Sequence, residues 1–104
     1  MSINFEEIDP NQLDEWLSKG EVHLIDVREP AEHAAQAIPG SELHPLFAFD
    51  PEDLPPSSTK FVFYCRSGKR SAAAAEAWSS HHNQISYNLK GGILAWIKHL
   101  SPPQ

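Results

Sequence analysis

The one cysteine of the 104-residue chain, Cys65, opens the run Cys65-Arg66-Ser67-Gly68-Lys69-Arg70-Ser71, in which three cations, two hydroxyls and a glycine follow a thiol within six positions. A free thiol has a pKa of about 8.5, and a helix N-terminus or adjacent cations bring it down to roughly 3.5–7.5, where the nucleophilic thiolate is populated at neutral pH. Both devices are predicted here. The backbone amides from Arg66 to Ser71 can curl around the sulfur, and Gly68 permits the positive φ that such a curl requires. Arg66, Lys69 and Arg70 attract an anion, and the hydroxyls of Ser67 and Ser71 can donate hydrogen bonds. A cysteine at the end of a buried strand is commonly a small inert hydrophobe. Three cations and a glycine in the next five positions serve no such role, and they decide for a functional thiolate.

The anion can be narrowed by counting. A protein tyrosine phosphatase loop has a cysteine, five residues and then an arginine, whereas this chain has Ser71 at that place and Arg70 one position earlier. The shorter loop makes a narrower ring of amides, better matched to a single sulfur than to a transferring phosphoryl group. With no second cysteine there is no intramolecular disulfide, so any sulfur chemistry at Cys65 is resolved by a group from another molecule. Other chemistry is poorly supported. His81 and His82 are adjacent at a helix end and do not face one metal, and His23, His33, His44 and His99 are scattered, so neither a metal nor another cofactor is expected. Glu29 and Glu32 sit at a helix start, where their charge favours the helix dipole over acid/base work. No Ser/His/Asp or Walker-type pattern occurs.

The acidic and basic side chains divide along the chain. Residues 1 to 59 carry Lys19 and Arg28 against thirteen carboxylates; residues 60 to 104 carry six cations against Glu76 alone. An acidic body with one small basic spot does not suit a long nucleic-acid backbone and does suit a small anion. The length fits one domain spanning 1–104 with a frayed tail at 101–104, and 40% apolar content reads as an ordinary soluble protein. No apolar run approaches the roughly 20 residues of a membrane span, and the first residues lack a signal peptide's basic start and apolar centre, so a cytoplasmic location with no membrane partner is expected.

The elements that must hold Cys65 follow from pattern. Asp9-Pro10 starts a helix, with Gln12 placed for a capping box, Leu13, Trp16 and Leu17 at helical spacing for the core, and Gly20 as its end. Val22 to Val27 reads as a strand buried on both faces, closed by Asp26 and Arg28. A helix runs from Glu29-Pro30 to about Ala35, Ile38-Pro39-Gly40 turns the chain, and a short strand lies near 41–44. Residues 45–59, rich in proline, form a connector with one helical turn capped by Asp50, and Phe47 and Phe49 are expected to pack on the core. Phe61 to Tyr64 is a strand, and an alanine-rich helix follows from Ala72. Ile85 to Leu89 makes a further strand, Gly91-Gly92 a tight turn, and Ile93, Trp96, Ile97 and Leu100 the apolar face of a last helix. This alternation argues for α/β with a mainly parallel sheet and helices on both faces. Ligands bind such sheets at the carboxyl ends of strands, the edge that carries Cys65 and the Asp26/Arg28 pair.

Three segments in this order resemble the single-domain rhodaneses, thiosulfate sulfurtransferases: Leu24-Ile-Asp-Val-Arg-Glu-Pro30 through Ile38-Pro39-Gly40, the loop Cys65 to Ser71, and Asn88-Leu-Lys-Gly-Gly-Ile-Leu-Ala-Trp96. The resemblance implies a three-layer fold around a central, mainly parallel five-stranded sheet. It also implies Cys65 as the sulfur-accepting nucleophile, an active loop from Cys65 to Arg70, and Asp26 and Arg28 as supports of that loop. Where the family often has Gly-His before Ile-Pro-Gly, this chain has Gln36 and Ala37. The implied partners are a small anionic sulfur donor and an external thiol or protein cysteine as acceptor. The rival readings are a non-catalytic interaction module of the same fold and a phosphatase-like enzyme.

Overall fold

In the computed structural model, which describes residues 4–101, the apolar run before Cys65 is the central strand of a five-stranded sheet in which every pairing is parallel. In chain order the elements are β1 (Glu6–Ile8), α1 (Pro10–Ser18), β2 (Val22–Asp26), α2 (Pro30–Ala35), β3 (Glu42–Leu43), β4 (Lys60–Tyr64), α3 (Lys69–His82), β5 (Tyr87–Leu89) and α4 (Gly92–Leu100). Across the sheet the order is β1-β5-β4-β2-β3. The fold class is the expected one, an α/β sheet with helices on both faces.

Side-chain alternation along β4 divides the core. Val62 and Tyr64 face one layer with Leu13 of α1 and Ile93 and Trp96 of α4, while Phe61, Phe63 and Cys65 face the other with Ala74, Ala75 and Trp78 of α3. A period of two is what a strand dictates, so Cys65 inherits its direction from Phe61 and Phe63. The small side chains of Ala74 and Ala75 let α3 lie close on the sheet, and Trp78, fully buried, donates from its indole nitrogen to the Leu54 carbonyl at 2.7 Å, tying the connector to the helix. His81 and His82 reach the same connector, at Glu52 and at the Pro51 carbonyl.

Local signals account for most boundaries. Asp9 accepts from the Gln12 amide at 2.9 Å and Pro10 takes the first helical position of α1. Asp50 likewise caps the Glu52 amide, though the connector holds two 3₁₀ turns, at Leu46–Ala48 and Pro51–Asp53, in place of one. Trp16 is partly buried against the core, edge-on to Tyr87 with ring centroids 4.8 Å apart.

Four further expectations need correction. Strand β1 was not foreseen: Glu6-Glu7-Ile8 is short and polar because it is an edge strand, paired only with β5. Helix α3 starts at Lys69, three residues before the alanines, because backbone geometry at Gly68 sets its start. Phe49 packs edge-on against Phe63, as expected, whereas Phe47 is 74% exposed beside Val27, Leu46 and Arg70. Leu100, expected on the apolar face, is 58% exposed at the last position of α4, where the helix ends. The expected tail, apart from Ser101, lies outside the described residues.

Candidate active site

Strand β4 ends at Tyr64, and the chain turns within four residues into α3. Gly68, at φ 104°, occupies the N-cap position, a conformation open to glycine and strained for other residues. Having no side chain, Gly68 cannot cap the helix, and the Cys65 sulfur takes that place. It accepts from the Gly68 N–H at 3.1 Å, from the Ser71 N–H at 3.4 Å and from the Ser71 hydroxyl at 3.3 Å. Burial pushes the thiol pKa up, but hydrogen bonds from the Ser71 hydroxyl and from the amides of Ser71, Gly68 and Ser67 outweigh it, and the net shift is downward.

The loop carbonyls point the other way, into the start of α4. Ile93 N–H donates to the Cys65 carbonyl at 2.8 Å and Leu94 N–H to the Arg66 carbonyl at 3.3 Å. These are among the amides that a helix start leaves unpaired, so each structure satisfies the other. The contact is closest at Gly92, where an added Cβ would stand 2.4 Å from both carbonyl oxygens. Gly91-Gly92 is therefore more than the tight turn expected of it: it is the seat against which the loop rests.

The three cations of the loop divide. Arg66 and Lys69 are exposed. Arg70 makes a two-point bond with Glu32 of α2, at 2.7 and 3.0 Å, and this draws the Glu32 carboxyl down to about 2. Glu32 also accepts from the Glu29 amide at 3.0 Å, so the charge expected to favour a helix start has a second employment beside the loop.

Asp26 and Arg28 lie one strand away. Asp26 is fully buried and accepts from the Arg28 backbone and guanidinium at 2.8 to 3.2 Å, from the Tyr64 hydroxyl at 3.1 Å, and faces His33 Nδ1 at 2.9 Å. Burial alone would raise the Asp26 carboxyl, yet its bonds to Arg28 and His33 hold it below the usual carboxylate range. Arg28 also donates to the Gln36 carbonyl, at one of the two positions where the chain departs from Gly-His. The pair fastens β2, β4 and α2 together and reaches Cys65 only through those elements, by way of Tyr64 and of α2, whose Glu32 holds Arg70.

Two side chains at the site were missed from sequence. Asn88 of β5, 1% exposed, accepts the Ser71 hydroxyl on Oδ1 and donates from Nδ2 to the Gly68 carbonyl at 3.0 Å and to the Glu7 carboxylate at 2.9 Å. Glu7 comes from the unforeseen strand β1. A signal for Asn88 was present: a polar residue in the middle of a strand buried on both faces must find partners.

Comparison with known proteins bears on the family and the fold. The family model for the rhodanese-like domain matches residues 9–99. A sulfurtransferase of Allochromatium vinosum is 37% identical over 99 residues, covering 92% of each chain. A thiosulfate:glutathione sulfurtransferase of Saccharomyces cerevisiae is 36% identical over 92 residues, 75% of this chain and 66% of that protein. A probable adenylyltransferase/sulfurtransferase of Mycobacterium tuberculosis is 37% identical over 100 residues, and there the match spans 91% of this chain and 25% of the relative's length. Among solved structures, a rhodanese-related protein of Thermoplasma volcanium superposes with a TM-score of 0.80 at 29% identity, covering 94% of this chain and 96% of that one. The chain belongs to the rhodanese-like domain family.

Proposed function

We propose that the chain is a sulfurtransferase of the rhodanese type, moving a sulfane sulfur from thiosulfate or a persulfide donor to a thiophilic acceptor through a persulfide on Cys65. The observation that carries this reading is the seat of the sulfur: amides of Gly68 and Ser71 and the Ser71 hydroxyl converge on a single atom at 3.1 to 3.4 Å, an arrangement of donors that favours its anionic form. The Saccharomyces relative, named for thiosulfate and glutathione, and the Allochromatium sulfurtransferase support it.

In the first step the Cys65 thiolate attacks the outer sulfur of thiosulfate. A sulfur–sulfur bond forms at Cys65, the bond to the sulfonate sulfur breaks, and sulfite leaves with the electron pair. Arg66, exposed at the loop, and Lys69 attract the dianion; Arg70, held by Glu32, frames the loop on that side; and Ser67, Gly68 and Ser71 bind through amides and hydroxyls. Cys65 is 1% exposed, and the terminal sulfur of a small anion is a single atom that suits so narrow an approach. In the second step cyanide or an external thiolate takes the outer sulfur and the Cys65 thiolate is restored. A lone cysteine makes that acceptor a separate molecule: a small thiol such as glutathione, or a cysteine of another protein such as thioredoxin. Asp26 and Arg28 support the loop from the sheet, residues 1–104 act as one rhodanese domain, and a reducing cytoplasm suits the free thiol. Among the described residues no helix is long and apolar enough to cross a membrane.

Intact mass after incubation with thiosulfate tests the scheme. The protein should gain one sulfur atom, Cys65→Ser should gain none, and cyanide should discharge the adduct as thiocyanate. Absence of any adduct on the wild-type protein would sink the reading.

A further inference from the structure

Ser71 has a single hydroxyl proton and two acceptors within reach, Cys65 Sγ and Asn88 Oδ1. The orientation of the Asn88 amide is settled by its other end. Nδ2 faces the Glu7 carboxylate and the Gly68 carbonyl, both of which only accept, so the amide oxygen must face Ser71. In the thiol state the Ser71 proton belongs to Asn88, and the serine oxygen is free to accept the S–H. When the thiolate forms, turning that hydroxyl toward sulfur costs Asn88 Oδ1 its partner in a buried place, which is unfavourable. The amide thus sets how far Ser71 serves the sulfur. Its Nδ2 acts on the loop as well: the Gly68 carbonyl it holds also accepts the Ala72 amide at 3.3 Å, in the first turn of α3, so the Gly68–Lys69 peptide, which lies in the chain between the Gly68 and Ser71 amides, is held from both sides.

We propose that Asn88, anchored by Glu7, is a positioning residue for Cys65: it aims the loop amides at the sulfur through the Gly68 carbonyl and sets the direction of the Ser71 hydroxyl. Asn88 and Ser71 are buried and come from neighbouring elements, β5 and α3, while Glu7 is exposed on the edge strand β1. The carboxylate that orders the site can therefore be changed from outside the core. The inference rests on Cys65 being the reacting thiol of the proposed transfer.

The test is the pH profile of Cys65 alkylation by iodoacetamide, a neutral probe that reads the thiolate whatever sulfur compound the protein serves. It is recorded for wild type, Glu7→Ala, Glu7→Gln and Asn88→Ala, each with and without Ser71→Ala. In a Ser71→Ala background, where only the arm through the Gly68 carbonyl remains, loss of positioning should raise the alkylation midpoint by roughly half a unit to one unit in Glu7→Ala and Asn88→Ala, the scale of one net hydrogen bond; with Ser71 present the freed hydroxyl turns to the thiolate and makes the rise smaller. Glu7→Gln keeps an acceptor for Nδ2 and should not raise it. Simple loss of a negative charge has the opposite sign, since it favours the thiolate. A midpoint that falls equally in Glu7→Ala and Glu7→Gln in the Ser71→Ala background overturns the proposal, as does an unmoved midpoint when Asn88→Ala is added to a folded Ser71→Ala protein. If Asn88→Ala does not fold, the two Glu7 variants decide, because that side chain is exposed. Sulfur uptake from thiosulfate is measured on the same samples. Failure of uptake with the expected alkylation shifts rejects the transfer chemistry and keeps the positioning role; uptake with unmoved midpoints does the reverse.

Discussion

Replacing Gly92 by alanine should damage both stability and the thiol, and a second glycine supplies the control. Gly92 has φ 61° and Gly40 φ 85°, so alanine at either place enters the left-handed region at a cost of about 1–2 kcal/mol. Around Gly40 an added Cβ meets nothing within 4 Å; at Gly92 it meets the Cys65 and Arg66 carbonyl oxygens at 2.4 Å. A carbon and an oxygen rest comfortably at about 3.3–3.6 Å, so the start of α4 must retreat by about 1 Å. The retreat breaks the Ile93 and Leu94 amide bonds to the loop, each worth about 1 kcal/mol net. The expected loss is therefore about 3–4 kcal/mol for Gly92→Ala against about 1–2 for Gly40→Ala. For a domain of this size these correspond to drops in Tm of roughly 15–25 °C and 5–10 °C. Calorimetry gives the two Tm values, and iodoacetamide alkylation of the folded Gly92→Ala protein should show a less reactive thiol. Equal losses in the two variants, with unchanged thiol reactivity, would refute the claim that α4 seats the loop.

Two further outcomes concern charge. Glu32 titrates at about 2 in the folded chain, below the roughly 4.3 of an unfolded glutamate, so its bond to Arg70 stabilises the fold above the unfolded value and is lost as pH falls through the folded one. Both side chains are about a third exposed, which limits the contribution to roughly 1 kcal/mol or less. Urea midpoints of wild type and Glu32→Gln should therefore differ at neutral pH and converge toward pH 2, and parallel curves would contradict this. Asp26→Asn leaves the Arg28 guanidinium, 6% exposed, without its counter-charge, and should cost about 3–5 kcal/mol in denaturant unfolding. A loss of under about 1 kcal/mol would show that the pair is not the fastening between β2, β4 and α2.

The strands that carry apolar runs were legible in the sequence because burial on both faces leaves no other pattern for them, and β2, β4 and β5 lie where those runs lie. The caps at Asp9 and Asp50 were legible for a similar reason, each being a short polar side chain ahead of a proline. What stayed hidden was set by tertiary contact. Glu6-Glu7-Ile8 has no strand signature of its own and becomes β1 only by pairing with β5. The start of α3 moved from Ala72 to Lys69 because propensity reads alanine, while the helix begins where Gly68 turns and Cys65 offers a partner. At the site, the curled loop, the positive φ of Gly68 and the role of Ser71 could be read from residue types. The engagement of Arg70 by Glu32 joins residues 38 apart, and that of Asn88 by Glu7 joins residues 81 apart, distances at which side-chain chemistry alone names no partner.

Using the cysteine sulfur as the cap of α3 has a consequence for descendants of such a chain. The helix beginning at Lys69 has no other acceptor for its Ser71 amide, so position 65 carries a structural duty alongside its chemical one. A lineage that abandons sulfur transfer is still under pressure to keep a hydrogen-bond acceptor there. Serine or aspartate can inherit the duty, whereas alanine gives up about 1 kcal/mol, the usual worth of an N-cap. In a domain of this architecture, a polar residue in place of the cysteine marks a site whose chemistry has lapsed while the scaffold that shaped it is maintained.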